Sequence, residues 1–297
     1  MRINHLGLIA EDQFNLVSHD EFKVQFIAIF DKEEFAFYEA TCIELLSYDR
    51  WVALKFIYQA NGENFTRDLA DALMPKNHLI GHEAMGTVLS KLNLGLINYL
   101  TAMRLVLDHT ETRLNRKFGE SSSEFKTFKE AASFEFDNSF EYRFISKLRN
   151  FVQHCGMPLN HAEENAKLLD ETTGASKHSF EVGFDPKELL KEFKKWGRLR
   201  KELEDRQGYI PAEGLVEKVT KCLDRILDKS FAIEANPVIE NARRLVDLIR
   251  PALSGWNGVS AGRFNILDGG KRINSTVTDA PLAILARWGL ISLPFVN

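Results

Sequence analysis

The spacing of hydrophobic positions changes several times along the chain, and each change marks a boundary between elements. Near the start, Phe22, Val24, Phe26, Ala28 and Phe30 alternate with polar positions such as Lys23 and Gln25. A period of two puts one set of side chains on one face of a strand, so a half-buried strand ending at Asp31-Lys32 is predicted. A short polar turn then lets residues 34–38 return as the second arm of a hairpin. Residues 45–58 fit a strand or a buried helix equally well.

From about residue 79 the period becomes helical. Leu89, Leu92, Leu96, Tyr99, Leu100, Met103, Leu107 and Leu114 recur at steps of three and four up to Gly119, a suitable stop. This predicts a helix of roughly 35 residues, about 50 Å long. Ser121-Ser122-Ser123-Glu124 reads as a turn and N-cap. A second helical pattern runs through Phe125, Phe128, Phe134, Phe140, Phe144, Leu148 and Val152, with a break near Phe136-Asp137-Asn138 and a stop at Gly156 and Pro158. Residues 170–185 read as a loop. Pro186 opens a helix to about residue 205, Pro211 opens another to about 229, and Asn236-Pro237 opens a third that ends before Pro251. At the end, Phe264-Asn265-Ile266-Leu267 and Lys271-Arg272-Ile273-Asn274 flank Asp268-Gly269-Gly270, a hairpin signal. The pattern therefore divides the chain into a strand-containing segment 1–77, a helical domain 78–252 and a C-terminal extension 253–297.

Composition narrows the partners. A chain of 297 residues with 44% hydrophobic and 27% charged residues can build its own core without disulfides or metal staples. Its formal net charge of -4 gives no global attraction to nucleic acid, so contact with RNA has to come from local basic groups. Three dispersed cysteines (Cys42, Cys155, Cys222) without a C-x-x-C pair fit buried thiols in a reducing compartment. Asn4 and His5 interrupt the early apolar stretch and no spanning run follows, so a cytoplasmic protein without membrane attachment is expected. Gly269-Gly270 opens no helix and lacks a Lys-Ser/Thr pair, and no Gly-x-Ser-x-Gly element occurs. Both absences disfavour nucleotide-hydrolase and serine-hydrolase chemistry.

The segment from Lys147 to Leu159 is the most informative. Arg149, Asn150 and His154 stand at the predicted end of a helix. Asn150 and His154, four apart, share one face, whereas Arg149 and His154, five apart, are about 140° apart around the helix. Such residues can meet on one ligand if Arg149 swings back, or if a second copy of the helix supplies the missing group. The same residues are also what the helix macrodipole favours in a last turn, where each cation is worth about 0.3–1 kcal/mol. On the first long helix, Asp108 and Glu111 are polar where a core helix needs no polarity; either can orient His154, or both belong to a solvent-facing stripe. Arg143 and Lys147 lie within two turns of the motif and are candidate contacts for RNA phosphates. Six basic residues surround Trp196, an arrangement that suits a phosphate backbone and a stacked base, but interspersed glutamates favour a salt-bridged surface. His78 and His82 have a spacing that suits two ligands on one metal, with Glu83 adjacent, yet no third ligand follows and a surface pair is the simpler reading.

The stretch from Ile80 to Leu159 resembles the HEPN family (higher eukaryotes and prokaryotes nucleotide-binding). The likeness is carried by Arg149-Asn150 followed by His154, by the preceding helix with Asn98-Tyr99-Leu100 and Leu107-Asp108-His109-Thr110-Glu111, and by the Gly156-Met157-Pro158 stop. The resemblance implies a mainly α protein: a HEPN-like helical bundle with a strand-containing N-terminal segment and a short C-terminal β-hairpin. It also implies a homodimeric endoribonuclease that cleaves RNA without a metal or other cofactor, with Arg149, Asn150 and His154 catalytic and Asp108 or Glu111 supporting them. Family members of this kind often serve in antiviral defence or as toxins, which would add an antitoxin or regulatory partner. The alternative is a non-catalytic nucleotide- or RNA-binding or dimerisation module built on the same bundle.

Overall fold

The computed structural model describes residues 4–10, 25–28, 31–76, 81–253, 259–267, 272–277 and 280–291. The elements in chain order are β1 (Asn4–Ala10), β2 (Gln25–Ala28), α1 (Lys32–Leu73), α2 (His82–Phe118), α3 (Ser123–Asn138), α4 (Phe140–His154), β3 (His161–Asp170), β4 (Ala175–Phe184), α5 (Pro186–Glu192), α6 (Leu199–Glu204), β5 (Ile210–Pro211), α7 (Leu215–Leu253), β6 (Val259–Leu267), β7 (Arg272–Val277) and α8 (Ala280–Arg287). The protein is mainly α, and its contacts divide it into two compact units, one of residues 1–52 with 232–297 and one of residues 53–231.

In the first unit the two ends of the chain share a four-stranded antiparallel sheet of order β2-β1-β6-β7. The predicted C-terminal hairpin is present, with Ile266 opposite Ile273 and Leu267 opposite Arg272. Strand β2 falls within the alternating stretch 22–30, and the rest of that stretch lies outside the described residues. Residues 34–38 do not return as a strand. They belong to α1, because Asp31 caps that helix: its Oδ1 accepts from the Glu33 and Glu34 amides at 2.8 Å, and the Glu34 carboxylate accepts from the Asp31 amide at 3.0 Å. This reciprocal capping box starts the helix where a turn was expected. Residues 45–58 are also helical. Leu45, Tyr48, Trp51, Val238, Leu245 and Ile249 are buried in this unit, and Arg287 pairs with Asp49 at 2.9 Å.

The second unit carries the motif. Its helices α2, α3 and α4 pack against one another. Helix α2 ends at Gly119, whose φ of 88° few residues besides glycine adopt comfortably. Ser122 caps α3 by accepting from the Phe125 amide at 3.1 Å, and Ser139 caps α4 by accepting from Tyr142 at 3.1 Å. The break expected near residues 136–138 therefore falls one residue later, at a serine that can restart the helix. The first half of α7 is bonded to α2, where the Tyr99 hydroxyl meets Thr220 at 3.0 Å, and to α1, where Tyr58 donates to Asp224 at 2.6 Å.

The region after the motif departs most from the sequence reading. Instead of a loop over residues 170–185, β3 and β4 form a long antiparallel hairpin, extended by β5 to a three-stranded sheet. Its turn closes on Asp170, whose side chain accepts from the Thr172 amide at 2.7 Å, with Gly174 at φ 71°. Along β4, His178, Phe180, Val182 and Phe184 are buried while Lys177 and Ser179 are exposed, an alternation hidden by the helix-forming composition of β3. The helix from Pro186 stops at Glu192, because Phe193 and Trp196 turn into the core and Gly197 (φ 62°) makes the bend before α6. Pro211 lies in β5 and opens no helix. The two helices expected on either side of residue 236 are one continuous α7, which passes Pro237 at an exposed position.

Trp196 is fully buried and sits among Phe144 and Phe151 of α4 and Phe193, with ring centroids 5.3–6.3 Å away. Its indole N–H donates to the Leu189 carbonyl at 3.3 Å. Truncation leaves a ring-sized void, while the Leu189 carbonyl keeps its bond from the Phe193 amide at 3.1 Å. Trp196→Ala is expected to lose about 3–5 kcal/mol of stability in denaturant unfolding.

Candidate functional site

Helix α4 separates two kinds of residue by its period. Phe144, Ile145, Leu148 and Phe151 are buried, while Ser146, Arg149 and Asn150 are half-buried on the side toward α2 and α3. There they line a cavity of about 540 Å³ together with Arg104, Leu107 and Glu111 of α2 and Phe128, Lys129 and Phe136 of α3. Arg149 also lines an adjoining cavity of about 220 Å³ with Arg104, Asp108 and Gln153. The walls are thus partly aromatic, with cations at the rim.

Ion pairing decides which of those cations is available. Arg104 pairs with Asp108 one helical turn on, Nε to Oδ2 at 2.9 Å. Lys129 pairs with Glu111 at 2.9 Å. Arg149 has no carboxylate partner among the described residues; its one hydrogen bond, at 3.4 Å, goes to its neighbour Asn150. A guanidinium left without an anion in a half-buried cleft is a ready partner for a phosphate or carboxylate.

The other expected site residues are distributed differently. His154 is exposed in the last position of α4, makes no hydrogen bond among the described residues, and lines neither cavity. Asp108 and Glu111 are engaged by Arg104 and Lys129, so neither orients His154. Lys147 is half-buried with its Nζ beside Gly197 and without an ion pair among the described residues. Arg143, expected to contact RNA phosphate, faces inward: Nε and Nη2 reach the two Glu202 oxygens at 3.0 and 2.7 Å, and Nη1 donates to the Phe136 and Asp137 carbonyls at 2.7 and 3.1 Å. It staples the α3–α4 junction to α6 and has little capacity left for a ligand. Trp196 is buried and cannot stack on a base, while Lys191–Glu188 and Arg200–Glu204 form the salt-bridged surface expected around it. His78 lies outside the described residues, as do the side chains of His82 and Glu83.

Arg104, Phe128, Lys129 and Phe136 belong to the cleft without having been singled out as site residues in the sequence. The polar Arg104 among apolar neighbours on α2 was the one available signal. Asn93, also on α2 and almost fully buried, holds the chain beyond the motif: its amide donates to the Leu159 carbonyl at 3.1 Å and accepts from the Leu159 amide at 2.9 Å. Below α3, Glu135 is buried and accepts both Arg225 bonds at 2.7 Å, which hold its carboxyl below its ordinary pKa.

No family model, no curated protein and no solved structure matches this chain.

Two outcomes follow from this wiring. Arg143→Ala strips the half-exposed Glu202 carboxylate and the Asp137 carbonyl of a donor, while the Phe136 carbonyl keeps Arg198 at 3.0 Å, and should cost about 2–3 kcal/mol in unfolding experiments, discounted for the part of Glu202 that water reaches. The depressed Glu135 pKa makes the Glu135–Arg225 contribution complete above the ordinary value of 4.5 and lost as the pH falls through the lower folded value. Glu135→Gln should therefore lower the melting temperature at neutral pH, with the difference from wild type shrinking as the pH drops below 4.5.

Proposed function

We propose that the chain is an endoribonuclease of HEPN type, acting on RNA as a homodimer through Arg149, Asn150 and His154. The observation that carries this reading is the availability of Arg149: it lines a cleft with partly aromatic walls and, unlike Arg104 and Lys129 beside it, has no carboxylate partner among the described residues. A planar guanidinium there suits a phosphodiester, and the half-buried Phe136 suits a base beside it. His154 is exposed at a helix end and makes no hydrogen bond among the described residues, so its imidazole is open to a reacting hydroxyl or phosphate oxygen. Its placement outside the Arg149 cleft matches the 140° separation around the helix and favours a site in which one protomer's Arg149 works with the other's His154.

In that arrangement the RNA 2′-hydroxyl gives its proton to one His154 and attacks the adjacent phosphorus. Arg149 meets the charge that develops on the non-bridging oxygens. The second His154 protonates the departing 5′-oxygen, leaving a 2′,3′-cyclic phosphate and a 5′-hydroxyl. Asn150 orients the phosphate or the imidazole. Such an activity fits a cytoplasmic defence or toxin system held in check by a regulatory partner, a role taken from the family resemblance.

A specific observation also supports a second reading. The cleft holds Arg149 and Asn150 without His154, which is what a non-catalytic nucleotide- or RNA-binding module needs. RNA cleavage in excess EDTA separates the two. The nuclease predicts cyclic-phosphate ends from wild type and a loss of about 10²–10⁴-fold in His154→Ala. Undiminished cleavage by His154→Ala would sink it. RNA binding without cleavage by wild type, abolished in a folded Arg149→Ala variant, establishes the binding module instead.

A further inference from the structure

Strand pairing in the β3–β4 hairpin fixes three ligand-type side chains on one face. Glu163 stands directly opposite Glu181, and His161, two residues earlier on the same strand, stands opposite Gly183. Residues two apart on a strand point to the same side, and directly paired residues share a face, so the imidazole and both carboxylates project together. One ring nitrogen of His161 and one carboxylate oxygen from each glutamate all lie within 4.8 Å of one another.

Left alone, this arrangement is unfavourable. Like charges paired directly across two strands destabilise a hairpin, and neither glutamate has a Lys or Arg partner among the described residues. In addition, His161 Nε2 is buried without a hydrogen-bond partner, a deficit that carries a desolvation cost. The surroundings hold these groups in position nonetheless. His161 stacks on Tyr209 with centroids 4.2 Å apart and planes 20° apart. A side chain at Gly183 would collide with the Tyr209 ring and the Ile210 carbonyl, so the glycine lets that ring lie close to the imidazole's strand. Glu181 accepts from the Asn165 side-chain amide at 3.2 Å. Neutral donors that orient a carboxylate without neutralising it are the usual supporting layer of a metal ligand.

We propose that His161, Glu163 and Glu181 form a binding site for a divalent transition-metal ion of the zinc class. A cation in their midst would convert the carboxylate repulsion into attraction, and coordination through Nε2 would satisfy the orphaned nitrogen. One imidazole and two carboxylates suit Zn²⁺ or a neighbouring first-row ion better than Mg²⁺, which prefers an all-oxygen octahedron. Zinc–ligand bonds of about 2.0–2.2 Å require ligand atoms roughly 3.3 Å apart. Glu163 is exposed and can supply that contraction. Three protein ligands leave a coordination position for water. The site is independent of the Arg149 cleft, and RNA cleavage that persists in EDTA is compatible with it.

The test is calorimetric titration of the full chain with ZnCl₂, and separately with MgCl₂, alongside melting temperatures with and without zinc. Wild type should bind one tight equivalent of Zn²⁺, bind Mg²⁺ far more weakly, and melt higher when zinc-loaded. His161→Ala and the double variant Glu163→Gln/Glu181→Gln should each weaken zinc binding by at least about tenfold. The double variant carries a second signature: freed of carboxylate repulsion, its metal-free form should melt no lower than metal-free wild type. Absence of zinc binding by wild type, or zinc binding by the folded double variant weakened less than tenfold, would overturn the proposal.

Discussion

The second unit is organised by the packing of aromatic rings onto one side of α4. Phe144 and Phe151 lie one above the other on that helix and are clasped by Trp196, Phe193 and Phe184. Rings of this size leave few ways to pack without voids, so the rotation of α4 about its axis is fixed by its buried side. Everything on the opposite side follows from that rotation. Arg149 and Asn150 face α2 and α3 because Leu148 and Phe151 cannot. The residues with chemical potential are positioned by neighbours that have none.

Much of this was legible in the sequence where a signal was local. The leucine period of α2, its glycine stop, the serine cap of α3, and the paired arms of the C-terminal hairpin are each written within a few residues. Other elements needed a choice between competing local signals. Asp31-Lys32-Glu33-Glu34 reads as a polar turn after a strand, yet the same residues make a capping box and start a 42-residue helix. His161–Asp170 has a helix former's composition and becomes a strand because the alternating face of β4 requires a partner. Pro237 reads as a helix start, but burial of Val238, Ala242 and Leu245 on one side carries α7 straight through it. In each case tertiary packing overrode a propensity worth only a fraction of a kcal/mol per residue, or in the proline's case a few.

The cleft was legible in part, and the reason is again distance along the chain. Arg149, Asn150 and His154 sit within six residues and can be noticed together. What distinguishes them from their neighbours is the fate of other charges: Arg143 is taken by Glu202, 59 residues away, and Lys129 by Glu111, 18 residues back. A basic residue near a motif looks the same in sequence whether it is spent on the fold or free for a ligand. The hairpin cluster was invisible for a related reason, since Glu163 and Glu181 become neighbours only once strand register is known.

The Asn93 clamp on Leu159 has a consequence for how this gene can drift. The side chain imitates a peptide group, offering one donor and one acceptor at a fixed separation to a backbone whose N–H and C=O are both out of reach of water. Aspartate lacks the donor, serine and threonine lack the length, lysine lacks the acceptor, isoleucine lacks both, tyrosine is too large for the buried site, and histidine sets its donor and acceptor on diverging edges of a ring. Glutamine alone keeps the amide, and no single base change turns an asparagine codon into a glutamine codon. Every one-step mutation at this position therefore releases the chain between the motif helix and the hairpin, so the connection between those two elements is guarded by the genetic code as well as by packing.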